Sequence, residues 1–223
     1  MVEQPSLPFR LRGGRRKGAG RKPRDPHRPN VPHRRRAPHS HRWPAHVTLR
    51  ADRRIPSLRK LRRAIATAIH KGRKANFRVI EFSIQPDHLH LMTECDDRSA
   101  LSRGVQGLKI RLARGINDAL GRKGNVWADR YHDRPLRTPS EVRNCLVYIL
   151  RNYTRSGVSL VGSVDPCSSA PWFSGFVGVA VEQASLRAIL GNCPVSAAQT
   201  WLATVGWRKL GAIEPAEVPK NAG

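Results

Sequence analysis

Two histidines stand two residues apart in the segment PDHLHLM, at His88 and His90. On an extended strand, residues two apart point the same way and lie about 7 Å apart at the backbone, so both imidazoles can reach one divalent ion. Leu89 and Leu91 then face the opposite way, toward a core. A second set sits in VYILRNYTRSG, where Tyr148, Arg151, Asn152 and Arg155 fall at i, i+3, i+4 and i+7 and so share one face of a helix. A phenol, an amide and two guanidiniums are not a set that a core stripe would carry. If this helix crosses the histidine strand, Asn152 can add an oxygen ligand to the same ion, with the Tyr148 hydroxyl one turn away. A hard divalent cation held by two imidazoles, an amide and water suits phosphate oxygens. It can also stabilise the charge that builds up during displacement at a phosphodiester. A tyrosine of ordinary pKa, about 10, is a poor nucleophile unaided, and alignment with a held phosphate is what makes it competent. Arg151 and Arg155 would hold the flanking phosphates bidentately.

The elements that must position these residues can be followed along residues 46–157. HVTLRA (46–51) is a short strand, and Pro56 opens a helix over about 57–72 with Leu58, Leu61, Ile65, Ala68 and Ile69 as its apolar stripe. FRVIEFSI (77–84) is a second strand. Pro86 and Asp87 make a turn into a third, HLHLMTE (88–94), and so short a connection implies an antiparallel hairpin. Ser99 is placed to cap a helix over about 100–121, with Leu101, Val105, Leu108, Leu112, Ile116 and Leu120 at helical spacing. A fourth strand is expected within 126–138, followed by a last helix over about 141–156, which Gly157 closes. The order β-α-β-β-α-β is the split βαβ arrangement, so the expected class is α+β. It has a ferredoxin-like core, an antiparallel sheet with helices on one face, and an added tyrosine-bearing helix that can lie across the sheet.

Two flanking segments differ in composition. Residues 1–45 form a basic arm rich in Arg, Pro, Gly and His, with too little apolar surface to offset the entropy of ordering. Arg15, Arg16, Lys17, Arg21 and Lys22 lie in its densest block, and GAGRKPR is similar to an arm that enters a minor groove. Residues 158–223 read as an extension: a loop with exposed Trp172 and Phe173, then two short helices near 181–190 and 196–210, packed onto the core.

The chain carries 41 Lys and Arg against 16 Asp and Glu, for a formal net charge of +25 and a sequence pI of about 11.5. So large an excess of one sign costs self-repulsion and points to a polyanionic partner, most simply nucleic acid. No apolar run approaches the length of a transmembrane helix, and no secretory h-region opens the chain. The four cysteines form no CxxC pair, which excludes a zinc ribbon and a disulfide framework and fits a reducing cytosol.

Taken together, PDHLHLM, VWADRYHDRPLRT (126–138) and YILRN resemble the corresponding parts of single-tyrosine HUH transposases, the REP-associated tyrosine transposases and their TnpA-like relatives. The resemblance covers about residues 46–160. It implies that His88 and His90 are metal ligands, that Asn152 is the polar metal-side residue four after the tyrosine, and that Tyr148 is the nucleophile. It further implies Mg²⁺ or Mn²⁺ as cofactor and single-stranded, often hairpin-bearing DNA as partner. The implied intermediate is a 5′-phosphotyrosine with a free 3′-OH, in a monomer or homodimer at work in the nucleoid-associated cytoplasm. Arg151, Arg155, Arg130, Arg111 and the arm residues are the expected DNA contacts. Two features depart from the family: Tyr153 follows Asn152 where many relatives have proline, and the arm and extension lie outside the common domain.

Other assignments compete within the same sequence. Tyr153 is five residues beyond Tyr148, about 140° around the helix, so it should not share the metal face. Tyr131 and Trp127 suit core packing, although Trp127 with Arg130 could also clamp a base. Glu94 shares the strand face of His88 and His90 but lies roughly 13 Å from His90 along the strand. A non-catalytic DNA-binding regulator derived from a transposase would use the same charge and fold, but would have no reason to keep His88, His90, Tyr148 and Asn152 together. A ferredoxin-like RNA-binding module should show stacking aromatics in its central strands, and Phe77 and Phe82 do not make that motif.

Overall fold

The computed structural model describes residues 38–154 and 163–218. The arm residues Arg15, Arg16, Lys17, Arg21 and Lys22, together with Arg155, lie outside the described residues. Four strands, β1 (Ala45–Arg50), β2 (Phe77–Ile84), β3 (His88–Cys95) and β4 (His132–Pro135), form one sheet in the order β2-β3-β1-β4. All neighbouring pairs are antiparallel. Helix α1 (Arg62–Lys71) lies between β1 and β2, and α2 (Arg98–Ala119) between β3 and β4. This is the expected ferredoxin-like arrangement.

Apart from an irregularity in β2 between Val79 and Glu81, where the phase of the strand shifts by one residue, the two-residue period of the strands divides the sheet into two faces. Val47, Leu49, Leu89 and Leu91 are buried in one apolar cluster with Ile65 and Ile69 of α1 and Leu101, Leu108 and Leu112 of α2. Burying each such side chain contributes about 1.5–3 kcal/mol. The opposite face, carrying Ile80 and Met92, is covered by α3 (Pro139–Arg151) through Val142, Leu146, Ile149 and Leu150. Helices therefore lie on both faces once α3 and the extension are counted.

Several boundaries differ from expectation for local reasons. Helix α1 is preceded by a 3₁₀ turn over Leu58–Leu61, so the α-helix proper starts at Arg62. The cap of α2 is Asp97, not Ser99: its carboxylate accepts from Ala100 N at 2.6 Å, and Arg98 begins the helix. Helix α3 starts at Pro139 under a capping box in which Thr138 and Glu141 each bond the other's backbone N–H. It ends at Arg151, and Asn152–Thr154 tighten into a 3₁₀ turn instead of continuing the α-helix to 156.

Helix α2 approaches the sheet closely at Gly104, where a Cβ would fall 2.2 Å from the buried Phe77 ring. Alanine ordinarily favours a helix over glycine by about 1 kcal/mol. Here the overlap is the larger effect, and Gly104→Ala is expected to destabilise the fold by about 1–3 kcal/mol. Urea denaturation checks this; an unchanged or raised midpoint would show that α2 shifts without cost.

The extension packs over the α3 side of the sheet. It contains α4 (Ala180–Leu190), a short α5 (Trp201–Thr204) and a 3₁₀ turn over Gly206–Leu210. Phe173, expected to be exposed, is buried. Its ring stacks on the buried Trp207 with centroids 5.5 Å apart and meets Phe176 edge-on. Trp172 is half-buried. The local loop composition concealed this because the stacking partner, Trp207, comes from a segment further along the chain.

Candidate active site

His88 and His90 sit at the start of β3 and project toward α3, on the same face as Met92. Their Nε2 atoms approach to 2.8 Å. Asp87, from the β2–β3 turn, lies 2.6 Å from His88 Nδ1. With a proton on Nδ1 donated to Asp87, His88 keeps its Nε2 lone pair for a ligand, the carboxylate–histidine pairing common behind metal-binding imidazoles.

A third histidine joins them. The β1–β3 register pairs Thr48 with His90 and His46 with Met92, which places His46 and Thr48 beside His90 on this face. His46 Nε2 lies 3.1 Å and Thr48 Oγ1 3.3 Å from His90 Nδ1. Burial, reinforced by Arg134, His132 and His88, pushes His46 down to about 4. Burial, with His46 and His88 nearby, holds His90 well below the usual imidazole range. Both rings are therefore neutral at neutral pH and keep lone pairs. When His90 Nδ1 carries the proton and donates it toward His46 or Thr48, the Nε2 lone pairs of His88 and His90 face the same point.

Helix α3 brings Tyr148 to this cluster. Its ring lies edge-on to His90 and His46, with centroids 4.9 and 5.8 Å away. Tyr148 is half-buried, packed against the apolar cluster under α3. Asn152 follows one turn later, buried, at the point where the α-helix gives way to the 3₁₀ turn. Among the described residues no group of three or more His, Cys, Asp or Glu side chains is placed to hold a metal ion. The donor set that fits a divalent cation is thus two converging imidazoles, to be completed by an amide or water oxygen. Such a set carries less negative charge than the carboxylate cage in which hard divalent cations are ordinarily held, and the one acidic group beside it, Asp87, is engaged with His88 Nδ1.

The other expected residues separate. Arg151 does not face outward beside Tyr148. It is buried, with Nη1 donating to Ser163 O at 2.9 Å and to the Tyr153 hydroxyl, and with its guanidinium over the Tyr153 ring. The returning chain at Ser163 supplies the carbonyl that satisfies a buried guanidinium, and no local pattern in α3 could show this. Tyr153 is buried as well, donating to Ser163 O at 3.1 Å, and burial raises its phenol pKa. Arg111 is exposed on α2, which covers the sheet face opposite the histidines. Arg130 is half-buried in the loop before β4, with its backbone N–H on Asp129 Oδ1. Trp127 is buried, and its indole N–H donates to Lys109 O at 3.0 Å; Tyr131 is buried in the same cluster.

Glu94 is not at this site. It is fully buried, and its carboxylate accepts from Gln199 N, Thr200 N and Thr200 Oγ1 at 2.8–3.1 Å and from Arg78 Nη2 at 3.3 Å. It ties the extension to β3.

His46 was missed by sequence reasoning, yet a signal existed. In a sheet of this order β1 lies next to β3, and alternation along HVTLR then puts His46 and Thr48 on one face.

No curated protein matches the chain. A solved structure of a REP-associated tyrosine transposase bound to a REP hairpin matches with a TM-score of 0.51 at 20% identity, covering 62% of this chain and 82% of that one. That likeness speaks for the fold. The family model described as transposase, IS200-like, matches residues 39–151, a span that runs from just before β1 to the last residue of α3. It takes in both histidines of β3, His46 and Tyr148 and covers half of the sequence: the chain belongs to the IS200-like transposase family.

Proposed function

We propose that this protein cuts and rejoins single-stranded DNA through Tyr148. The observation that carries the reading is the convergence of His88 Nε2 and His90 Nε2 at 2.8 Å beside the Tyr148 ring, 4.9 Å from that of His90. His88 and His90 would hold Mg²⁺ or Mn²⁺, with Asn152 as the amide contributor, and the bound ion supplies Lewis-acid polarisation of the scissile phosphate. The residues of the chain do the rest. Asp87 fixes the orientation of His88, while His46 and Thr48 fix that of His90. The two imidazoles of His46 and His90 hold the Tyr148 ring from its edges.

Tyr148 Oη attacks phosphorus in line and gives up its proton to solvent, the bond from phosphorus to the 3′ oxygen breaks, and that oxygen takes a proton from solvent and leaves as a free 3′-OH. The 5′ side stays on the enzyme as a phosphotyrosine. Attack by a 3′-OH reverses the step, so strands rejoin with no external energy source. Hairpin-bearing DNA is the proposed substrate class; the structural neighbour was solved on a REP hairpin, and a chain of +25 net charge suits a polyanion.

The test is incubation of the full chain with labelled, hairpin-bearing single strands, in Mg²⁺ or Mn²⁺ and in chelator. A covalent adduct should form only with the ion. His88→Ala should lower its rate about 100-fold or more, with residual activity needing far higher ion concentration. Cleavage by His88→Ala at unchanged metal dependence would remove the metal assignment. Failure of the parent to form an adduct on any hairpin would leave a DNA-binding regulator instead.

A further inference from the structure

We infer that a cavity at the far end of β3 from the histidines is a subsite for one unpaired nucleobase of a nucleic-acid strand. The inference deepens the proposed action on single strands and rests on it. The cavity has a volume of about 730 Å³, and its walls include Arg42, Trp43, Asp96, Arg137, Gln199 and Trp201. A volume of this order suits a nucleotide-sized ligand. Cys95 also forms part of the wall. It lies five residues beyond His90, roughly 16 Å along the strand, so a base held there is clear of the reacting phosphate.

The lining combines two indoles with cationic side chains. Trp201 is 53% exposed, yet it is firmly placed. Its ring rests on Gly206, where a Cβ would fall 2.8 Å from it. The backbone just before it is pinned by Glu94 through Gln199 N and Thr200 N. Lys209 Nζ sits 5.3 Å from the Trp201 ring centroid. Trp43, half-buried, carries the Arg137 guanidinium 4.9 Å from its own ring centroid.

Stacking platforms beside cations are what an unpaired base on a phosphate backbone requires. An inorganic anion would have no use for two indoles, and an apolar ligand would have no use for Arg42 and Arg137. The exposed carboxylate of Asp96 and amide of Gln199 can meet the edge of a base. Gln199 and Trp201 lie beyond the span shared with the family, residues 39–151. The subsite is therefore completed by this chain's own extension.

The test uses the full chain and fluorescein-labelled trinucleotides, followed by anisotropy. A trinucleotide should bind about tenfold more tightly than one whose central nucleotide is abasic. Trp201→Ala should erase that difference, Trp201→Phe should keep most of it, and Arg137→Ala should weaken both ligands. Circular dichroism checks that the variants fold. Equal binding of the abasic strand, or an undiminished difference in Trp201→Ala, would overturn the subsite. A nucleoside monophosphate competing as well as the trinucleotide would mean a pocket for free nucleotides and would overturn the strand reading. The tyrosine-adduct assay is independent. Base-dependent binding by a chain that forms no adduct keeps the subsite and sinks strand cleavage, and an adduct without base-dependent binding does the reverse.

Discussion

Tyr148→Phe should form no covalent DNA adduct and should lose strand cleavage by a factor on the order of 10³ or more. The substitution removes only the hydroxyl. The phenyl ring keeps its edge contacts with His46 and His90 and its packing under α3. Hairpin affinity and the unfolding midpoint should therefore change little. That separation makes the variant informative, because a fold defect would lower binding and cleavage together. Tyr153 offers no ready substitute: its hydroxyl is engaged with Arg151 and Ser163 and its ring is buried. An adduct of undiminished yield in Tyr148→Phe would end the assignment, and mapping the modified residue would show which hydroxyl replaced it.

Glu94→Ala should destabilise the protein by about 3–5 kcal/mol, the range for removing one partner of a buried charged network. Three donors from Gln199 and Thr200 converge on this carboxylate, along with the Arg78 guanidinium. All lose their acceptor at once, in a place that water reaches poorly. Glu94→Gln should fall between alanine and the parent, because the amide oxygen still accepts while its NH₂ meets donors. Chemical denaturation measures the loss. Limited proteolysis should also find new cuts in 190–200 before the sheet itself yields. A midpoint unchanged in Glu94→Ala would mean that the extension is held by Phe173, Trp207 and their neighbours alone.

The core was legible because its signals are local. FRVIEFSI matches β2 residue for residue, and HLHLMTE falls one residue short of β3. Leu101, Val105, Leu108, Leu112 and Ile116 mark the buried side of α2 as their spacing requires. The His88–His90 pair follows from alternation alone. What escaped depends on contacts between distant segments. His46 matters through a neighbour 44 positions away. Arg151 has a polar side chain on a face that looks functional, but Ser163 turns it inward. Glu94 looked like a stray acid near a metal strand until residues 199 and 200 folded onto it. Helical phase predicted where Tyr148 points; it did not predict that the last turn tightens to 3₁₀ at Asn152.

Strand β3 sets the phase for the whole α3 side of the sheet. Its even-numbered positions, 88, 90, 92 and 94, supply in turn two imidazoles, a core methionine and the anchor of the extension. Their shared orientation is a matter of parity. One residue inserted between His90 and Glu94 would rotate the anchor into the apolar layer under α1 and α2 while leaving the imidazoles where they are. The spacing between imidazoles and anchor is thus a matter of parity as well as of side chains: an insertion of two residues keeps both orientations, and an insertion of one does so only if a bulge absorbs it, as β2 does between Val79 and Glu81.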